Sequence, residues 1–321
     1  MVRLLTWNVN GLRAILKRRF GSLAALLNHL QADIICFQET KLTRLELERE
    51  FALVDGWESF FVFCRTRTGY SGVATFCRAG IAVPVAAQEG ITGVLCLEAS
   101  SGGADAGALA NCYGELHARF SQEELKDIDN EGRCVITDHG SFVLFNIYGP
   151  ALSMEDNIEA RFAYKLRFYE ALQCRADALR AAGRRVIITG DLNISPAKID
   201  LCDPAEQFEE RRDRKWLHCW LTDGGGPFVD VFRQFHPNRK DAYTCWNTAT
   251  GARVNNYGTR IDLILAADAQ RAQHAQPPAA QTSQPSQPGT CDGARSVHML
   301  HVHRQAGDSA FLAVFLSAPI S

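Results

Sequence analysis

The sequence has no apolar run of roughly 18 residues or more, the length a helix needs to cross a bilayer. Its opening residues, MVRLLTWNVNG, lack a basic leader followed by a long apolar region and a small-residue cleavage site. Neither a membrane span nor a secretion signal is therefore expected, and no membrane partner. Cysteine is present 11 times but never as a Cys-x-x-Cys pair. The cysteines lie in apolar runs such as DIICFQE and GVATFCR, which suits reduced packing residues in a cytosolic or nuclear compartment. No charge of one sign dominates either. A net charge of −2 gives no global attraction to nucleic acid, so a polyanion would have to be held by local patches. Lys17 to Arg19, Arg211 to Lys215, and Arg239 with Lys240 offer such patches, and each reads equally well as solvated surface.

What is there is apolar material enough for a sizeable core, at 321 residues and 46% hydrophobic. Strand-like runs recur over 2–9, 33–39, 58–64, 72–77, 81–87, 134–138, 141–149, 185–192 and 260–267, each bounded by Gly, Asn, Asp or Pro. Helical periodicity covers 20–30 and 158–182; the second carries Phe162, Leu166, Tyr169, Leu172, Ala176 and Leu179 on one stripe. Many strands with two or three helices predict a layered architecture rather than regular βαβ winding. Composition changes after Ala269. Residues 269–296 are rich in Ala, Gln, Pro, Ser and Thr, which bury too little apolar surface to order themselves, so a disordered linker is expected there. Residues 1–268 then form the main domain, and 297–321 a divergent strand segment that could complete a sheet.

The stretch VIITGDLNISPAKID, Val186 to Asp200, runs from a buried-looking strand straight into Asp191 and Asn193. The same habit recurs: Asn8 and Asn10, Gln38 and Glu39, Asn146 and Tyr148, and Asp262 within TRIDLIL all sit at strand ends. Each alone has an ordinary explanation, such as a turn cap, a surface acid or a half-buried ring. Together they place chemistry at one edge of a rigid sheet. Carboxylates and amide carbonyls without a His or Cys cluster are hard oxygen ligands, suited to Mg²⁺ rather than Zn²⁺, with Mn²⁺ as an alternative.

The segments LLTWNVNGLRA, ICFQETKL, NIYGP, ITGDLNISPAKID, AYTCW and NYGTRIDLIL resemble, in order, the motifs of the exonuclease III type apurinic/apyrimidinic (AP) endonucleases. EGRCVITD and YKLRFYEALQCRADAL are most similar to the AP endonuclease 2 subgroup. The resemblance implies an α/β four-layered sandwich, two packed mixed sheets flanked by helices, of the DNase I-like, endonuclease/exonuclease/phosphatase fold. It implies a Mg²⁺-dependent phosphodiesterase of base-excision repair, a monomer of the nucleus with cytoplasm or mitochondrion as alternatives. Its partner would be double-stranded DNA with abasic sites or blocked or mismatched 3′ ends, incised at the abasic site or trimmed 3′ to 5′. No sliding-clamp motif is evident. By the same resemblance Glu39 binds the metal with Asn8 adjoining, Asp191 handles the water and proton, and Asn193 and Tyr148 contact the phosphate. Asp262 would hold a catalytic histidine, and Asp191, Asn193 and Asp308 are further candidate metal ligands. Cys245, Trp246, Thr259 and Ile261 would line the sugar pocket. Cys245 and Thr259 stand where a relative has large aromatics, which predicts a wider pocket and relatively more 3′-end activity.

One family feature is absent. The final strand is normally preceded by Ser-Asp-His, and here AGDSAFLAVFL puts Asp308 in place of the motif's Asp and Ser309 in place of its His. Serine has neither the pKa nor the reach of imidazole. His301 and His303 are candidate replacements, although alternation in MLHVH would place both on an exposed strand face. An impaired family member that binds damaged DNA without cutting is therefore the alternative, and a phosphoinositide or sphingomyelin phosphatase a third reading.

Overall fold

The computed structural model describes residues 2–95, 109, 112–152, 157–268, 297–303 and 311–316; for 297–303 and 311–316 the backbone alone is considered. One mixed sheet holds β1 (Val2–Asn8), β2 (Ile34–Gln38), β3 (Trp57–Val62), β4 (Val73–Arg78), β13 (Val297–His303) and β14 (Phe311–Leu316), in the order β13-β14-β1-β2-β4-β3. The other holds β5 (Ala86–Glu89), β6 (Cys134–Asp138), β7 (Val143–Tyr148), β8 (Val186–Asp191), β9 (Val229–Asp230) and β12 (Asp262–Ala267), in the order β5-β6-β7-β8-β12-β9. A short ribbon pairs β10 (Cys245–Trp246) with β11 (Gly258–Thr259).

Alternation along the strands separates the layers, because successive side chains point to opposite faces. In β2, Ile34 and Cys36 face the second sheet while Ile35 and Phe37 face the helix Leu23–Leu30 and its flanking turns. In β8, Ile187 faces the first sheet while Val186 and Ile188 face the long helix Ile158–Ala181. Both sides of these strands are covered, which is why they read as unbroken apolar runs. The order is helix, sheet, sheet, helix: the four-layered sandwich expected. Helix Leu23–Leu30 starts at Ser22, whose side chain accepts the Ala25 amide, and is preceded by a π-helical turn over Leu16–Phe20 rather than continuing back to Phe20 as α-helix. The predicted strand over 81–87 is displaced to Ala86–Glu89, overlapping it only at Ala86 and Ala87, since Pro84 removes a ladder donor just before it.

Two parallel pairings aim the site. β1 runs parallel to β2, and β7 parallel to β8, so the carboxyl ends of each pair share an edge. β12 enters antiparallel to β8 with Asp262 opposite Asp191. β14 lies antiparallel to β1, with Leu312 opposite Thr6. The expected linker 269–296, together with Asp308 and Ser309, lies outside the described residues. All nine described cysteines are free, and six of them are buried, as packing residues should be. No helix among the described residues is long and apolar enough to cross a membrane.

Candidate active site

The strand ends bring Asn8, Glu39, Tyr148, Asp191, Asn193 and Asp262 together. Asn8 is the cross-link: its Nδ2 donates to Glu39 Oε1 and to Asp191 Oδ2, both at 2.9 Å, joining the two sheets. Its Oδ1 accepts the Asn10 amide at 3.0 Å. Glu39 takes φ +50, outside β2, and its Oε2 lies 3.2 Å from Lys41 Nζ, which also donates to Asn10 Oδ1. The Tyr148 side chain, at the end of β7, hydrogen-bonds Glu39 and lies beside Arg133, whose guanidinium sits 4.7 Å from the ring centroid. Arg133 is itself buried, donating to the Tyr148 carbonyl at 3.0 Å and to the Tyr70 hydroxyl at 2.7 Å.

Gly190 precedes Asp191 with φ +132, and a Cβ there would strike the Ile147 carbonyl across the parallel β7 pairing. Glycine is what lets β8 run this close and still deliver the acid. Asn193 then turns at φ +51, a conformation asparagine tolerates better than most residues. Its backbone N–H donates to Asp191 Oδ1 at 2.8 Å and its Nδ2 to the Gly149 carbonyl at 2.9 Å.

Crowded carboxylates define the electrostatics. Burial pushes Asp191 up to about 6, helped by the negative charge of Glu39 and opposed by the Asn8 and Asn193 donors. Asp262 goes further up, through burial and then the charge of Asp191, with Thr244 opposing. Its backbone N–H donates to Thr244 Oγ1 at 3.1 Å, while its Oδ1 is buried without a hydrogen-bond partner among the described residues. Among the described residues no three His, Cys, Asp or Glu side chains form a metal cage on their own. Buried Asp191 and half-buried Glu39, bridged by an amide, are hard oxygen ligands of the kind a divalent cation takes in ones and twos while water and phosphate fill the rest of its shell. Glu39 and Asp191 are the residues placed to hold such an ion.

The expected pocket residues border this cluster. Cys245 and Thr259 are register partners in the β10–β11 ribbon. Desolvation and the charges of Asp191, Asp262 and Glu39 push the Cys245 thiol up to about 12, although the residue keeps an exposed surface at the rim. Trp246 is buried, donates to Asn256 Oδ1 at 3.1 Å and lies under the Arg253 guanidinium. Ile261 is half-buried; its carbonyl accepts the Leu192 amide at 2.9 Å, tying the pocket to the Asp191 turn.

Two residues read as strand-end chemistry belong inside instead. Gln38 and Asn146 are buried between the sheets, where Gln38 Nε2 donates to Asn146 Oδ1 at 2.8 Å and to Thr6 Oγ1 at 2.9 Å. Asn146 shares its face with Tyr148, two residues on, but lies one pleat further from the end of β7, and Gln38 stays inside β2 one residue before Glu39 leaves it, so depth along the strand decides which side chain reaches the edge. Lys41, Thr244, Arg133 and Lys165 were not legible as site neighbours. For Lys165 there was a signal, a cation beside the apolar stripe of its helix. Asp308 lies outside the described residues, and His301 and His303 lie on β13, whose His303 pairs with Phe311 of β14.

The Endonuclease/Exonuclease/phosphatase family matches residues 5–283 of this chain. The protein named DNA-(apurinic or apyrimidinic site) endonuclease 2 of Xenopus laevis is 44% identical over 292 residues, covering 82% of this chain and 53% of that protein. Its Homo sapiens namesake is 41% identical over 292 residues, covering 83% and 54%. The chain thus spans about half the length of these curated relatives. An exodeoxyribonuclease of Bacillus subtilis is 27% identical over 278 residues, covering 85% of this chain and 90% of that protein. The crystal structure of the Xenopus laevis APE2 catalytic domain superposes with a TM-score of 0.78 at 39% identity, covering 98% of this chain and 91% of that one.

Proposed function

Because this chain belongs to the endonuclease/exonuclease/phosphatase family, we propose that it is a divalent-metal-dependent DNA phosphodiesterase of base-excision repair in the nucleus. It would incise double-stranded DNA at abasic sites and trim blocked or mismatched 3′ ends. One observation carries this reading: acids from both sheets, Glu39 and Asp191, are bridged by a single Asn8 amide beside Tyr148 and Asn193. The AP endonuclease 2 names of relatives above 40% identity support the substrate class.

The roles follow from position. Glu39 and Asp191 would hold the cation, Mg²⁺ in the first place and Mn²⁺ as an alternative, with their spacing fixed by Asn8. When bound, the metal supplies charge neutralisation at the phosphate and the leaving 3′ oxygen. Tyr148, its ring fixed beside Arg133, would turn its one phenolic O–H from Glu39 to a phosphate oxygen when substrate binds. Asn193 donates its amide to the phosphate, and Asp191 takes the proton of the attacking water. Asp262, with one free acceptor atom, orients whichever donor completes the site.

The test is Mg²⁺-dependent cleavage of an abasic duplex, measured beside the Asp191→Asn variant. Loss of a proton-handling group costs on the order of 10² to 10⁴ in rate, and the variant should fall by that much while still binding the duplex. Cleavage by the wild-type chain no faster than by the variant, with binding retained, sinks the proposal.

A further inference from the structure

The long helix Ile158–Ala181 does more than cover the second sheet. Lys165 and Tyr169 stand four residues apart, so their side chains leave one face of the helix, one turn apart. Lys165 Nζ donates to the Asn193 carbonyl at 2.8 Å, and the Tyr169 hydroxyl donates to the Leu192 carbonyl. Two consecutive peptide groups after Asp191 are therefore gripped from behind by one helix face.

The grip is built from a buried charge. Lys165 is 1% exposed and its ammonium lies 3.1 Å from Asp213 Oδ2, a carboxylate that is 0% exposed. Asp213 comes from a different helix, Arg212–Trp220, and also accepts from Arg211. Burying such a pair costs more desolvation than burying apolar side chains of the same volume, and it is a poor way merely to fill a layer. What the ammonium does that a methionine could not is donate to the carbonyl of Asn193, the residue of the turn held at φ +51. The direction of the Asn193 amide and of the Asp191 carboxylate is inherited from that turn. Gly149 closes it on the far side, since a Cβ there would collide with the Tyr169 hydroxyl and the Leu192 carbonyl.

We propose that Lys165 and Tyr169 are positioning residues for the Asp191–Asn193 turn, acting through the Leu192 and Asn193 carbonyls to aim the carboxylate and the amide at the phosphate. The inference rests on the nuclease reading above. Lys165→Met combined with Asp213→Asn removes the donor without stranding a buried carboxylate, and Tyr169→Phe removes the other donor alone. On abasic duplex DNA with Mg²⁺, each should lower kcat by about tenfold or more with KM within about twofold. Neither should add much to the loss caused by Asn193→Ala, because residues acting through one another are not additive. Amide hydrogen exchange at Leu192 to Ile194 should speed up about tenfold while Val186 to Thr189 keep their protection. Unchanged kcat in a folded variant, or a loss that multiplies fully with Asn193→Ala, overturns the inference. If the wild-type chain cuts no abasic duplex, the nuclease reading fails by itself; exchange then decides this one, with unchanged protection at 192–194 overturning it and faster exchange there supporting it.

Discussion

Cys245 and Thr259 face each other across the β10–β11 ribbon beside three carboxylates, so the width of the proposed sugar pocket is set by two small side chains. Small residues leave room for a paired nucleotide at a 3′ end as readily as for a bare sugar. Restoring bulk with Cys245→Phe and Thr259→Trp should therefore shift the ratio of abasic incision to 3′-end trimming towards incision. The shift expected from filling such a pocket is on the order of 10-fold, the scale of one or two methylene-sized discriminations. A ratio unchanged in a folded double variant would show that these two positions do not set selectivity. The resemblance to the AP endonucleases is what singles out both positions; what the sequence does not convey is that their backbones pair with each other.

Among the elements, the strand β12 is held at its entry by charge rather than by apolar contact. Arg260, buried just before it, donates to Asp200 at 2.7 Å and 3.0 Å and to Asp230 at 2.5 Å, and Arg233 adds a further contact to Asp200. This network joins the segment after Asp191, the strand β9 and the start of β12, and so fixes where Asp262 begins. Removing the cation takes from buried Asp230 its ion-pair partner and leaves Asp200 with Arg233 alone, and breaking a buried pair of this kind typically costs about 3–5 kcal/mol. Arg260→Met should accordingly unfold at markedly lower denaturant with an unchanged slope, and urea unfolding followed by fluorescence would show it. A midpoint equal to wild type would mean that solvent reaches these acids. TRIDLIL reads in sequence as a strand with an acid at its start, and that reading holds. The arginine two positions earlier is equally visible there, but its partners are 30 and 60 residues away and nothing local announces them.

Across the whole molecule, buried Asp129 and half-buried His139 give opposite pH dependences. His139 is held down at about 4 from an ordinary 6.5 by desolvation, against a backbone hydrogen bond and the charge of Asp138. Between those values the unfolded chain carries the proton and the folded one does not, so stability falls as pH falls through that window. Asp129 is pushed up to about 6 from 3.8, again by desolvation, although it accepts from Ile91, Thr92 and the Thr92 hydroxyl. Here the folded state keeps the proton, so stability rises as pH falls from 6 towards 3.8. Each slope is at most about 1.4 kcal/mol per pH unit, and between pH 6 and 4 they offset. Melting curves should show Asp129→Asn losing stability on acidification more steeply than wild type, and His139→Gln less steeply; parallel curves for all three would refute the linkage. The sequence by itself determined the strands, the acids and amides at their ends and the family to which the chain belongs, because period-2 alternation, turn residues and motif order are local properties of the chain. Only the tertiary structure decided that Asn8 would hold Glu39 and also reach Asp191, 183 residues away from it, that Gln38 and Asn146 would turn inward, and that a lysine in a helix would reach the turn after Asp191. Those pairings depend on sheet stacking and on desolvated charge, which become defined only once distant segments pack against one another.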